Sequence, residues 1–192
     1  MDSHKDEHAH EHGHDHNHDH DHDHHHHSEL DHLTHNHGID IVLQGELNAN
    51  IERVWEVLTS NEYVKQWFPE LEFESLKAGG NLMFNSGDMH IDMMIYDVEV
   101  PSHLSFEWGE GNIVTFDLVS NDDLTTQLNY TQWIHHIDEE HSPKDVTGWL
   151  ICMQNIAAII DNKPIPDTME LYNEYYDEVE QLIKEQTSTE FE

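Results

Sequence analysis

Apolar and polar positions alternate loosely from Ile39 to Leu47, which predicts a first strand, and the Asn48-Ala49-Asn50 segment that follows carries a helix N-cap signal. Ile51, Val54, Trp55 and Leu58 then fall at i, i+3, i+4 and i+7, one face of a short helix. Ser60 opens a second short helix through Val64, Trp67 and Phe68, stopped by Pro69. From Leu71 to Trp133 the pattern changes to short β-prone runs broken by Gly79-Gly80, Ser86-Gly87, Pro101-Ser102, Gly109-Glu110-Gly111 and Asn121-Asp122-Asp123, the spacing of an antiparallel meander. In Met89, Ile91, Met93 and Ile95 the period is two, and it slips by one at Tyr96, Val98 and Val100, which predicts a bulge that curves the sheet. A long helix comes next, with Ser142 as expected N-cap, Pro143 at the first helical position and Asp145 in the first turn. Its Val146, Trp149, Leu150, Met153, Ile156, Ala157 and Ile160 make it the most apolar helix of the chain, and it is expected to fill the concave side of the sheet. Beyond Asn162-Lys163-Pro164-Ile165-Pro166, an Asp167…Glu170 capping box opens a last amphipathic helix with Leu171, Tyr172, Tyr175, Val179 and Leu182 on one side. That helix is expected to pack on its own domain in preference to a partner.

Composition divides the chain differently. Sixteen of the 21 histidines lie between His4 and His37, and this low-complexity stretch lacks the apolar residues that would offset its ordering entropy. The expected organisation is therefore a disordered tail over residues 1–37, a folded domain over 38–162, and a C-terminal helix with a short tail over 163–192. Residues 38–192 are enough for one core without disulfides or a structural metal. In the tail, His12, His14, His16, His18, His20, His22 and His24 alternate with other residues, mostly Asp, before the run His25, His26, His27. Alternation puts successive imidazoles on one side of an extended chain, roughly 7 Å apart, so two or three can close on one ion while the aspartates accept the second ring N–H. These histidines are the expected ligands for zinc, nickel or copper, with poor selectivity because nothing fixes the geometry.

Charge narrows the partners. The net charge is -34, of which ten acidic side chains and one lysine in residues 1–37 supply -9, leaving -25 for the remainder. Such a field repels phosphate backbones and anionic headgroups, so neither nucleic acid nor a membrane is an expected partner. The lone Cys152 permits no internal disulfide, no apolar run follows the N-terminal charges, and no stretch approaches the length of a membrane span; the expected location is cytoplasmic.

The succession of strand, two short helices, meander and long helix, together with particular residues, resembles a known superfamily. Val54-Trp55-Glu56-Val57-Leu58-Thr59, Gln66-Trp67-Phe68, Gly79-Gly80-Asn81-Leu82-Met83-Phe84, Pro101-Ser102-His103-Leu104-Ser105-Phe106-Glu107-Trp108 and Gly148-Trp149 are similar to the START-like (SRPBCC) superfamily. Within it, they resemble the family of the C-terminal domain of the activator of the heat-shock protein 90 ATPase, over residues 39 to about 161. The resemblance implies an α+β helix-grip fold, in which a curved antiparallel sheet wraps the long helix around an apolar cavity. It implies a small hydrophobic ligand, with Trp67, Phe84, Trp108, Trp133, Trp149 and Met153 as candidate lining because they fall on the matched strands and helix. It also brings a chaperone, and with it a stress-response role, among the candidate partners. It carries no shared catalytic set.

No nucleophile elbow, His-Glu-x-x-His helix, phosphate loop or dinucleotide fingerprint is present in the sequence. Cys152 is expected as an inert packing residue. Two clusters have ligand chemistry, His135-His136-Ile137-Asp138-Glu139-Glu140-His141 and Asp88, His90, Asp92, each more naturally read as a solvated surface. Three readings follow: a non-enzymatic module binding a hydrophobic ligand or client and carrying a metal-binding tail, a zinc or nickel storage or delivery protein, and a cavity enzyme acting on a small hydrophobic substrate. No cofactor is required by the first. The acidic body predicts a thermal unfolding midpoint that rises as monovalent salt screens its self-repulsion, between about 0.01 and 0.5 M; a midpoint that falls over that range in a calorimetric scan contradicts it.

Overall fold

Period-two strands and period-3.6 helices divide the inside from the outside of this chain, whose computed structural model describes residues 38–188. The tail histidines His12 to His27 lie outside the described residues. The strands are β1 (Ile39–Leu47), β2 (Leu71–Phe73), β3 (Asn81–Ser86), β4 (Met89–Glu99), β5 (His103–Glu107), β6 (Ile113–Ser120) and β7 (Thr126–Ile134). They form one antiparallel sheet in the order β1-β7-β6-β5-β4-β3-β2, so the meander from β2 to β7 closes when β7 pairs with β1. Two helices, α1 (Ile51–Thr59) and α2 (Asn61–Trp67), occupy the connection from β1 to β2. The long helix α3 (His141–Ile160) follows β7, and α4 (Thr168–Ser188) ends the described chain. The architecture is α+β and helix-grip.

The inner face is set by alternation. Along β7, Thr126, Leu128, Tyr130, Gln132 and Ile134 are buried while the residues between them are half-exposed. The same face carries Leu104 and Phe106 of β5 and Val114, Phe116 and Leu118 of β6, and against it α3 buries Trp149, Met153, Ile156 and Ile159. The predicted bulge is present: pairing of β4 with β5 shifts register between Ile95 and Asp97, at Tyr96. A second apolar cluster joins Ile39, Ile41 and Ile134 to Val146 of α3 and to Val179 and Ile183 of α4, so the last helix packs on its own domain.

The ends of the helices follow local chemistry. The Asn50 side chain accepts the Arg53 amide at 2.9 Å and caps α1, and the Asp167 side chain accepts the Glu170 amide at 3.0 Å and caps α4, both as expected. The start of α3 differs from the expectation that placed Ser142 at its N-cap. Asp138 does that work, its carboxylate accepting the amides of Glu140 and His141 at 2.9 and 2.8 Å while the Ser142 hydroxyl accepts the Asp138 amide at 2.9 Å. Pro143 therefore sits two residues inside the first turn, still among the positions whose N–H has no helical partner. At the other end Asn162, at φ 55°, makes a Schellman closure: Lys163 donates to the Ala158 carbonyl at 2.9 Å and Asn162 to that of Ile159 at 3.2 Å.

Ile156 is fully buried between α3 and the sheet. Ile156→Ala is expected to lower unfolding free energy by about 2–5 kcal/mol in urea titration, whereas Val42→Ala, on the half-exposed outer side of β1, should change it by less than about 0.5 kcal/mol.

Candidate functional site

The turn that closes α2 brings Phe68, Pro69 and Glu70 across the N-terminal half of α3, and the residue after β5, Trp108, approaches the same helix from the sheet. Trp108 is held there by a tight turn, Gly109, Glu110 and Gly111 all having positive φ, with its amide donating to the Asn112 carbonyl at 2.9 Å. Two of these three are glycines, which reach that region without a Cβ penalty. The first turn of α4 adds Thr168 and Tyr172. Between them is a cavity of about 440 Å³, floored by Asp145, Gly148, Trp149, Cys152 and Asn155 of α3. That volume lies in the range of small-molecule sites.

Aromatic rings form much of the wall. Trp149 is 1% exposed, and its ring lies 4.8 Å from Trp108, 5.4 Å from Phe68 and 5.4 Å from Tyr130, all steeply tilted or edge-on except the last. Of the six residues expected to line a cavity, Trp67, Trp108 and Trp149 do so. Trp67 is pinned by donation of its indole N–H to the Val57 carbonyl at 2.9 Å. Phe84 stands behind the wall, 6.2 Å from Phe68 and 6.3 Å from Trp108. Met153 is packed in the core beneath, away from the opening. Trp133 belongs to the other side of the sheet: Tyr130, Gln132 and Ile134 set the inward phase of β7, so its neighbour in sequence points out. There its ring covers Gly38, where an added Cβ would come within 2.2 Å of a ring carbon.

A polar chain runs into the cavity floor. The Tyr130 hydroxyl donates to Gln132 Oε1 at 2.9 Å, Gln132 Nε2 donates to Asp145 Oδ2 at 2.6 Å, and Trp108 Nε1 donates to Asp145 Oδ1 at 3.0 Å. Burial pushes the Asp145 carboxyl above the ordinary range against the opposing pull of the Trp108 and Gln132 donors. Burial, and then the fields of Asp145 and Cys152, pushes the Tyr130 phenol well above its ordinary value. The Cys152 thiol is raised by burial first and by Glu70 and Asp145 after it, the reverse of what a nucleophile needs. Two buried wall atoms have no hydrogen-bond partner, Trp149 Nε1 and Asn155 Oδ1. The floor thus holds a buried acid with no base poised beside it: Lys144 is exposed and lies 3.4 Å from Glu140. It is equipped to hold a molecule.

The other sequence clusters are at the surface. His90 Nε2 lies 3.0 Å from Asp92, which also accepts from Asn81 at 3.0 Å, and all of Asp88, His90 and Asp92 are exposed. Asp138 is committed to capping α3, with His141 3.0 Å away. Among the described residues no group of three or more His, Cys, Asp or Glu side chains is arranged to hold a metal ion. Sequence reasoning missed Phe68, Glu70, Asn155 and Tyr172 as wall residues and read Asp145 only as a first-turn acid. The Trp108 and Gln132 donors, from distant strands, are what turn Asp145 into a site residue.

Asp145 gives the site a pH signature. Its raised pKa means that the folded chain binds a proton where the unfolded chain has lost it, so its contribution to stability is present at low pH and is lost as pH rises through the folded pKa. The stability of Asp145→Asn relative to the parent protein is therefore expected to increase with pH from the ordinary carboxylate range upward. Paired urea titrations read the slope; a difference that is flat or falls contradicts the assignment.

No helix among the described residues is long and apolar enough to cross a membrane. Comparison with solved structures finds the same fold repeatedly. A conserved protein of unknown function from Enterococcus faecalis superposes with a TM-score of 0.67 at 24% identity, covering 77% of this chain and 88% of its own. CalU16 from Micromonospora echinospora gives 0.64 at 22%, covering 76% and 89%. The Aha1 dimer from Colwellia psychrerythraea gives 0.55 at 14%, covering 64% and 96%. Among the curated proteins none matches the chain in sequence. The family model described as activator of Hsp90 ATPase homolog 1-like protein matches residues 48–161, from just before α1 to the end of α3 and so all of the cavity lining except that from α4, and the chain belongs to that family.

Proposed function

We propose that this protein is a non-enzymatic binding module that holds a small, largely hydrophobic molecule in the cavity between α3, the turn after α2, Trp108 and the start of α4. The observation that carries the reading is Gly148. A glycine inside a helix costs about 1 kcal/mol relative to alanine, and here no close approach requires it, since an added Cβ would meet nothing within 4 Å. What its missing side chain does provide is room, because Gly148 lies on the cavity floor beside Trp149. The wall supports the same reading: indole and phenyl rings present the apolar area that a hydrophobic occupant needs. Against catalysis stands the chemistry of the floor, where the one thiol is held protonated and the one buried acid has no basic partner.

Metal binding by the tail is part of the proposal, supported by the interleaved histidines His12 to His27. Zinc, nickel and copper are the ions suited to such ligands.

Native mass spectrometry of the full chain, purified from its own host without chelator or metal-affinity steps, tests both parts. A small hydrophobic mass should co-purify, and divalent ions should appear as separate adducts. Gly148→Ala is expected to gain about 1 kcal/mol of stability, and Gly148→Leu to stay folded while losing the co-purifying mass. A ligand retained by Gly148→Leu would place it elsewhere and end the cavity reading.

A further inference from the structure

The cavity carries negative charge that an apolar occupant leaves unanswered. Asp145 and Glu70 both line it, and the fields of both reach the Cys152 thiol, so they act on the same space. Asp145 is held by neutral donors only, the Trp108 indole at 3.0 Å and the Gln132 amide at 2.6 Å. A carboxylate has about four acceptor positions, and the Trp108 and Gln132 donors do not fill all of them. Glu70, half-buried in the turn after α2, has no side-chain partner among the described residues. The wall's one cation, Lys144, stands at the exposed rim with its ammonium 3.4 Å from Glu140, on the preceding turn.

The remaining wall complements a positive charge. Trp108, Trp149, Phe68 and Tyr172 are in the wall, and the face of an indole attracts cations more strongly than that of any other side-chain ring. Further along the floor is Asn155, 7% exposed, whose side-chain oxygen is buried without a donor, and between them is Trp149, whose buried N–H lacks an acceptor. Asp145 and Asn155 are separated on α3 by about 15 Å along the helix axis. They mark the two ends of the floor, with Trp149 between. The surrounding body, at -25, adds a long-range field of the same sign.

Building on the cavity reading, we propose that the ligand is an elongated hydrophobic amine. Its ammonium faces Asp145 and Glu70, and its apolar body lies along the Trp108 and Trp149 rings toward the Asn155 end of the floor. The protein supplies two carboxylates and aromatic faces, and the ligand supplies the missing counter-charge. A neutral ligand of the same shape forgoes that pairing, and an anionic one meets repulsion.

The test uses three probes of one shape, phenylhexylamine, phenylhexanol and phenylhexanoate, titrated into the full chain by calorimetry with tryptophan fluorescence as a second readout. The amine is expected to bind about tenfold more tightly than the alcohol, as charge-assisted hydrogen bonds allow, and the carboxylate most weakly. Glu70→Gln removes the charge of a half-buried side chain outside the apolar core, while Asp145→Asn keeps the shape of the buried acid. Each should shrink the amine's advantage over the alcohol, both measured in the same variant, at least about threefold. An alcohol that binds as well as the amine overturns this inference and leaves the cavity reading standing. An advantage that survives both substitutions overturns it too, because the amine is then held by acidic groups elsewhere. Failure of all three probes to bind would overturn the cavity reading and this inference with it.

Discussion

Burial of Trp149 is the constraint on which the rest of the structure depends. A 20-residue helix can lie inside an antiparallel sheet only if the sheet curls around it, and the curl is fastened where the α3 indole meets the rings of Phe106, Phe116 and Tyr130 from three neighbouring strands. The bulge at Tyr96 lets β4 follow that curvature, and the turn after α2 brings Phe68 over the same ring. Large flat side chains meeting at steep angles do not tile a concave space. The gap they leave, widened by the absent side chain at Gly148, is the cavity. Its existence follows from how the fold closes.

Three indoles surround that gap, and their N–H groups fare differently. Trp67 donates to a backbone carbonyl and Trp108 to a carboxylate, but Trp149, the most buried, donates to nothing. An unmade hydrogen bond of that kind costs about 1–3 kcal/mol. Immediately before it, Gly148 costs about 1 kcal/mol more in helix propensity. Both local costs fall on adjacent residues of the helix that closes the core, beside the cavity.

Much of the fold was legible in the sequence because its elements announce themselves locally. The slip of period at Tyr96, the Asn50 and Asp167 caps and the apolar stripe of α3 are each set by neighbours within a few residues. Trp133 was legible in principle: Leu128, Tyr130 and Ile134 fix the inward phase of β7, and a tryptophan one residue out of phase must face the other way. A preference for burying large aromatics competes with that phase, and the phase wins because a strand cannot rotate one residue alone. The candidate site was only half legible. Trp67, Trp108 and Trp149 fall on the matched elements, whereas Asp145 owes its role to Trp108, distant by 37 residues, and to Gln132. Gln132 is wholly buried, against the usual fate of its residue type. No local pattern predicts a buried glutamine; it becomes intelligible only as the link between the Tyr130 hydroxyl and the Asp145 carboxylate.

One electrostatic field at the cavity floor has two chemical consequences. Glu70 and Asp145 raise the Cys152 thiol beyond what burial does alone, so the side chain best placed to attack a bound molecule is kept in its unreactive form. The same two carboxylates, with the wall's one cation, Lys144, at the exposed rim beside Glu140, underlie the proposed preference for a positive charge. On the proposed reading the floor keeps its thiol unreactive and presents carboxylates to the bound molecule, so the same two acidic side chains bear on both holding the ligand and leaving it unaltered.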